Sequence, residues 1–312
     1  MVKVAVAGGT GNVAREAIDK IRAQNKHEVT PLKNESQNDS LVQVVQVDYR
    51  DTQALASILT GTDVVLCFFA ALDQESTIKS SKNLIDACVE AGVKRFAPSE
   101  WACRNNAYLP HYQYKDAIRA YLEDINKDRL TLEYTLFQPG LFTNYFAYPH
   151  STTRHFSVSP WFVDFENRRA IIVGDGRQVF TTTTVEDFSS AVAQSLDYEG
   201  TWPVNGGVVG SRITVAELVK LAEKLRGPIT VDSLDLDELK AGQFNASWVP
   251  IIQHPGIPDD QREAISRSVM AAYVLSTAQG GWDVPGEWNE RLPSFRPTSA
   301  EEYLSRVWES KP

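Results

Sequence analysis

An α/β fold built on a doubly wound parallel sheet is what the sequence predicts, and three observations predict it. Short apolar runs alternate with amphipathic helical stretches through the first half of the chain. These runs lack polar alternation, as strands do when helices cover both faces of a sheet. The first run, Val2–Ala7, passes directly into a glycine turn and then a helix.

The elements follow in order. Val2–Ala7 is the first strand, and Asn12–Gln24 is helical, with Val13, Ala17, Ile18 and Ile21 on one face. Glu28–Leu32 is the second strand, with Pro31 expected at its exit because proline is awkward inside a sheet. Leu41–Val47 is the third strand, closing on Asp48. Asp51 caps a helix over Thr52–Leu59, which Gly61 ends. Asp63–Ala70 is the fourth strand, Thr77–Ala91 a helix stopped by Gly92, and Lys94–Pro98 the fifth strand. A helix over Tyr114–Asn126 carries the stripe Tyr114, Ile118, Tyr121, Leu122 and Ile125, and Thr131–Phe137 is the sixth strand.

The pattern loosens after Gly140. Phe142, Tyr145, Phe146, Tyr148, Phe156, Trp161, Phe162 and Phe165 crowd one stretch, either as loop-rich core or as an apolar wall over a ligand cleft. Ile171–Val173, Gly174–Gly176 and Val179–Thr184 read as strand, turn and strand. Helices are expected over Val185–Asp197, Ala216–Leu225 after a Thr214 cap, Leu234–Gln243, Asp259–Leu275 and Ser299–Trp308, with a loop at His254–Pro258.

The chain has 312 residues, with 31 Lys+Arg against 40 Asp+Glu, for a formal net charge of −9. A nucleic-acid partner held by phosphate neutralisation needs a basic face, and none is visible in the composition. No apolar run reaches the roughly 18 residues of a membrane helix. Val2–Ala7 reads as a strand, not a signal-peptide core. The three cysteines, Cys67, Cys88 and Cys103, have no zinc spacing, and a reducing, cytoplasmic location is expected. His150 and His155 have no carboxylate pair beside them, so no metal is expected.

Gly8-Gly9-Thr10-Gly11-Asn12-Val13-Ala14 joins the first strand to the first helix, and Gly8, Gly11 and Ala14 fit G-x-x-G-x-x-A. A pyrophosphate needs a backbone without Cβ to approach, and the N–H groups and positive dipole of a helix N-terminus. The strand before and the helix after the motif are the context that supports a Rossmann-type dinucleotide site. At the end of the second strand, an acidic residue would bind a ribose 2′-hydroxyl. Lys33 stands there and suits a 2′-phosphate, so NADP(H) is the expected cofactor, with Glu35 leaving NAD(H) open.

Four segments carry a more specific likeness: Val4–Val13, Arg95-Phe96-Ala97-Pro98-Ser99-Glu100-Trp101, Tyr114-Lys115-Asp116-Ala117-Ile118-Arg119 with Leu122-Glu123, and Gln138-Pro139-Gly140-Leu141-Phe142 with Asn144-Tyr145-Phe146. Together they resemble the NmrA-like and isoflavone-reductase-like branch of the atypical short-chain dehydrogenase/reductases. The likeness covers residues 2–150, with weaker echoes at Val179–Phe188 and Arg296–Tyr303. It implies a Rossmann domain, NADP(H), and a smaller α+β C-terminal substrate domain across a cleft. The expected units are 1–148 with 177–200 returning to it, and 149–176 with 201–312. It also implies reduction of phenolic or polyketide-like compounds, with Lys115 similar to the family's helix lysine. Other members bind NADP(H) and regulate transcription factors without chemistry.

Ligands of such sheets bind beyond the carboxyl ends of the strands. Cofactor contacts are therefore expected at Gly8, Thr10, Gly11, Asn12 and Val13, at Lys33, Asp48, Phe69 and Ala70, and at Lys115, Pro139 and Phe142. Reduction of a carbonyl needs a proton source and a group that fixes the nicotinamide ribose. The wider short-chain dehydrogenase pattern places a tyrosine four residues before the lysine, and here that position is His111. The candidates are Lys115 for the ribose, and His111, whose ordinary pKa near 6.5 suits proton transfer. Tyr112 lies three residues before Lys115, and Ser99 follows the fifth strand. Each has a plain structural alternative: an exposed helix lysine, a loop histidine, a turn hydroxyl. Trp101, Tyr145 and Trp161 are candidates to enclose an aromatic substrate.

The expected activity is NADPH-dependent reduction of an apolar, aromatic or polyketide-derived carbonyl or enone. The alternatives are a non-catalytic NADP(H)-sensing regulator of the NmrA type and a Rossmann-fold isomerase or cyclase. No nucleic-acid or membrane partner is expected, and the protein is expected to be a monomer or homodimer.

Overall fold

The computed structural model describes residues 1–33, 44–70, 73–253, 257–309 and 311. The first half contains β1 (Lys3–Ala7), α1 (Asn12–Ala23), β2 (Glu28–Lys33), β3 (Val45–Gln46), α2 (Thr52–Leu59), β4 (Val64–Cys67), α3 (Gln74–Glu90), β5 (Arg95–Ala97), α4 (Gln113–Asn126) and β6 (Glu133–Tyr134). These strands form a six-stranded sheet in the order β3-β2-β1-β4-β5-β6. Every neighbouring pair is parallel. The order reverses between β1 and β4, which opens a crevice beyond the strand ends there. The predicted fold class, a Rossmann-type α/β sheet, is the one observed.

Strand periodicity explains the two-sided core. Val4 and Val6 face one side of the sheet, where Ala14, Ile18 and Ile21 of α1 pack with Val185, Phe188 and Val192. Ala5 and Ala7 face the other, beneath Leu55 and Leu59 of α2, Leu84 and Ile85 of α3, and Ile118 and Leu122 of α4. Successive side chains of a strand alternate between faces, so a strand covered on both must be apolar throughout.

The caps fall where the sequence places them. The Asp51 carboxylate accepts from Ala54 N at 3.0 Å. Thr214 and Glu217 form a reciprocal capping box. Helix α3 starts earlier than expected because Asp73 caps it, accepting from the N–H groups of Glu75 and Ser76.

The second half contains β7 (Leu136–Gln138), β8 (Leu141–Phe142), β9 (Val163–Asp164), β10 (Arg169–Val173), β11 (Val179–Thr183), α5 (Val185–Ser195), β12 (Asn205–Gly207), β13 (Ser211–Thr214), α6 (Val215–Arg226), β14 (Thr230–Leu234), α7 (Leu236–Lys240), α8 (Arg262–Ala278), α9 (Glu287–Arg291) and α10 (Ala300–Trp308). A separate core gathers Phe146, Phe162, Phe165, Phe180, Leu218, Trp282, Tyr303 and Trp308.

Several expectations are corrected. Pro31 lies inside β2, opposite Val6. Among the described residues β3 pairs only with Leu32 and Lys33, beyond the proline, so no ladder partner in β3 is left waiting for its missing N–H. Residues 41–43 of the expected third strand, and Asn34 and Glu35, lie outside the described residues.

The single strand expected over 131–137 splits. Thr135 is the pivot, donating its N–H to Phe96 O and its hydroxyl to Pro203 O. Beyond it, β7 leaves the main sheet and pairs with β12. The Gly174–Gly176 turn does not close a hairpin, because β10 pairs with β9 and β14, and β11 with β8 and β13. Gly176, at φ +71°, docks on the start of α6, where a Cβ would meet Ala216 N at 3.2 Å. Leu234 ends a strand and not a helix, since Asp235 caps the short α7 and Gly242, at φ +84°, follows it.

The expected substrate unit at 201–312 is not uniform. Trp202, Val208, Trp288, Leu292 and Phe295 pack into the core shared by α1, α5 and the main sheet.

Candidate active site

The glycine turn is built for close approach. Gly8 has φ +71°, and a Cβ there would lie 2.8 Å from Phe69 N. Its N–H donates to the Tyr49 hydroxyl at 3.1 Å, and the Tyr49 ring leans on Phe69 with centroids 4.5 Å apart. Gly11 differs: a Cβ there would meet only Gly8 O, at 3.3 Å, and the residue is exposed. Gly11 is also the N-cap of α1 and offers no side-chain oxygen, and the first turn holds no acidic residue. The helix therefore presents uncapped N–H groups and an unneutralised positive end, which is the environment a pyrophosphate requires.

The other expected cofactor residues sit at neighbouring strand ends. Lys33 ends β2 beside this turn, and Phe69 and Ala70 follow β4. Thr10 precedes Gly11 in the turn and Val13 lies in the first turn of α1, while the Asn12 amide donates to Ser157 Oγ at 3.2 Å. Pro139 lies between β7 and β8, its carbonyl accepting from the Thr183 hydroxyl. Asp48 follows β3 and is paired with Arg50. Its carboxylate closes on the Arg50 guanidinium at 2.8–3.2 Å, which holds it below the usual carboxylate range.

Lys115 is buried, unlike an ordinary helix lysine. Its ammonium donates to Ser99 O at 3.0 Å and Glu100 O at 2.5 Å, and lies 4.4 Å from the Tyr112 ring centroid. Burial lowers its pKa, and the Glu100 carboxylate opposes that shift. Glu100 is itself buried and held by Arg119 through two bonds, of 2.9 and 2.5 Å. Ser99 thus serves Lys115 with its carbonyl, where a hydroxyl role was expected.

His111 is corrected more sharply. Its ring packs between Tyr112 and Tyr273, and its Nε2 is buried with no hydrogen-bond partner among the described residues. Burial, assisted by the Lys115 charge, pushes its pKa down to about 4. The argument from a pKa near neutrality does not hold for the folded residue. Cys103 likewise is no activated thiolate, since burial pushes its thiol up to about 12.

Between the two halves lies a cleft lined by Trp101, Ala102, Tyr112, Gly140, Leu141, Phe142, Tyr145, Trp161, Tyr273 and Trp282. It brings together all three expected substrate residues with Tyr112 and Phe142. Trp101 is fixed by stacking on Phe68 at 4.1 Å and by an Nε1 bond to Cys67 O. Trp161 stacks on Tyr145 at 5.0 Å and meets Tyr273 edge-on at 4.8 Å.

The sequence reading missed Tyr273 and Trp282. The Tyr273 hydroxyl is 2.9 Å from that of Tyr112. Burial raises both phenols well above their ordinary range, so both stay protonated. The indole N–H groups of Trp161 and Trp282 are buried with no hydrogen-bond partner among the described residues. Position in the apolar stripe of α8 was the only signal for Tyr273, and it reads as core.

The cleft continues into a groove of about 650 Å³ through the shared residues Tyr145, Trp161 and Tyr273. That size suits a ligand larger than a single ring. No metal-binding group of His, Cys, Asp and Glu is present among the described residues. Nor is any helix among them long and apolar enough to cross a membrane.

The sequence profile of the NmrA-like family matches residues 2–227. The chain belongs to the NmrA-like family. Among relatives, this NmrA-like chain is 25% identical to oxidoreductase swnN of Metarhizium robertsii, over 100% of this chain and 98% of that protein. It is 25% identical to isoflavone reductase of Glycine max, over 87% of this chain and 80% of that one. The leucoanthocyanidin reductase–NADPH complex from Vitis vinifera shares its fold, with TM-score 0.71, 19% identity, and coverage of 98% and 99%. The NmrA-like match spans the glycine turn, Lys115 and Tyr112, and stops before Tyr273.

Proposed function

We propose that this NmrA-like protein is an NADPH-dependent oxidoreductase that reduces a carbonyl or enone of an apolar, aromatic or polyketide-derived compound. The observation that carries this reading is that the uncapped, glycine-built turn packs on Phe69 while the adjacent Phe68 stacks on Trp101 of the aromatic cleft. The names of its relatives, oxidoreductase swnN and isoflavone reductase, support the same class. We assign 1–148 with 177–200 to cofactor binding and the remainder to substrate, with 201–208 and 286–296 bracing the two.

The bound cofactor supplies the hydride. The turn from Gly8 to Val13 receives the pyrophosphate on backbone N–H groups, and Lys33 takes the 2′-phosphate. Lys115, held by Ser99 O and Glu100 O, uses its remaining N–H toward the ribose. Tyr112, protonated at neutral pH, donates a proton to the nascent alkoxide or enolate, the hydroxyl of Tyr273 reprotonates it, and Tyr273, which lines the groove, takes its own proton back from solvent when product leaves. Trp101, Tyr145 and Trp161 hold the substrate's rings and exclude water.

The test is NADPH oxidation with a panel of aromatic aldehydes, enones and quinones, alongside titration with NADPH and NADH. Turnover of at least one compound and tighter NADPH are expected. Tighter NADH would remove the Lys33 assignment. Tight NADPH without turnover would favour a second reading, a cofactor-sensing regulator. One observation supports that reading: the Lys115 ammonium already serves two carbonyls, and Lys115 does not line the cleft.

A further inference from the structure

The groove beyond the cleft mixes apolar and neutral polar side chains, and among its described lining residues one is charged. Its lining includes Val249, Pro250, Ile251, Val269 and Met270, and a single cationic residue, Arg169. No acidic side chain is among the described lining residues.

Arg169 is held. It begins β10 directly opposite Asp164 of β9. Asp164 is buried, and its Oδ2 accepts from Arg169 Nε at 3.1 Å. The same carboxylate accepts from Asn167 N at 3.1 Å and Asn167 Nδ2 at 2.8 Å, which ties down the intervening turn. The guanidinium lies over the Trp248 ring, 4.0 Å from its centroid. Ion pairing at Nε and stacking on one face fix the plane of the fork. Among the described residues neither Nη1 nor Nη2 has a protein partner, and a third of the side chain is exposed. A planar fork, positioned from behind and open along its Nη edge, matches a carboxylate in bidentate geometry.

We propose that the groove end at Arg169 is a carboxylate subsite, so that the substrate is an aromatic or polyketide-like acid. Its reducible end lies in the cleft by Tyr112, and its carboxylate lies on Arg169. This rests on the reading of the cleft as a substrate site, and it narrows the substrate class from apolar compounds to apolar acids. Asp164 acts as a positioning residue for the arginine and does not touch the ligand.

Calorimetric titration of the 312-residue chain with 2-naphthoate and with its neutral counterpart 2-naphthamide tests the subsite without any turnover. The wild type should bind the acid about 10-fold more tightly, the scale of one charge-assisted fork. Arg169→Gln should abolish that preference while leaving amide affinity unchanged. Arg169→Lys keeps the charge without the fork and should retain only part of the preference. Asp164→Asn should weaken the acid and spare the amide. Equal binding of acid and amide to the wild type, or an acid preference that survives Arg169→Gln, would overturn the proposal. These outcomes are separate from a failure of NADPH oxidation, which would remove the reductase reading alone.

Discussion

The phenolic oxygens of Tyr112 and Tyr273 lie 2.9 Å apart, joining residues 161 positions apart in sequence. One comes from the turn that starts α4, the other from α8, so the pair bridges the two halves of the cleft. A single hydroxyl contact of this kind is available for proton transfer only if both groups stay protonated, as burial ensures.

Tyr112→Phe is expected to lower kcat by about 10²- to 10⁴-fold, the usual contribution of a positioned general acid. Tyr273→Phe should lower kcat by a smaller factor with little change in KM. Steady-state NADPH oxidation measures both. Unchanged kcat in both variants would mean that the pair only packs.

Gly8 and Gly11 should respond differently to alanine. At Gly8 the Cβ collides with Phe69 N and the φ is +71°, so Gly8→Ala should destabilise the fold by about 1–2 kcal/mol from the left-handed backbone alone. At Gly11 φ is −68° and the Cβ would meet Gly8 O at 3.3 Å, so Gly11→Ala should lower the melting temperature less than Gly8→Ala while weakening NADPH binding. Thermal melts and cofactor titration on the two variants separate fold from site.

Buried Glu100 pairs with the partly buried Arg119 behind Lys115. Glu100→Ala removes two of the guanidinium's bonds but leaves it Asp116 Oδ1 and Arg104 O, so it should cost about 1–3 kcal/mol in urea denaturation. Glu100→Ala combined with Arg119→Met should recover part of that loss. A double variant no better than the single one would show that the pair is not energetically coupled.

His111 makes stability depend on pH. Its pKa is near 6.5 in the unfolded chain and about 4 when folded, so between these values the unfolded chain binds the extra proton. The stabilisation is therefore complete above pH 6.5 and is lost as the pH falls toward 4. Allowing for solvent at the partly exposed ring, the loss is about 1–2 kcal/mol. His111→Asn should flatten the denaturation midpoint across that window, and an unchanged slope would assign it to another group.

Much of the structure around the candidate site was legible because it is local. The glycine turn, Lys33 and the Lys115 helix each follow from residues adjacent in sequence. The sidedness of α1 follows from 3.6-residue periodicity, and Asp51 and Thr214 announce their helices by cap chemistry. The failures were non-local. The split at Thr135 depends on Phe96 and Pro203, and the turn at Gly174–Gly176 depends on α6 and Leu234.

By itself, the sequence determined the parallel sheet, its helix-covered faces and the nucleotide turn, because strand period, helix period and turn stereochemistry act over a few residues. Tertiary structure alone decided which groups meet in the cleft. It brought Tyr273 and Trp282 to Tyr112, set Arg169 against Asp164 and Trp248, and turned His111 from a neutral-range base into a buried ring. Burial and pairing are properties of neighbours that arrive from distant segments, and no local pattern encodes them.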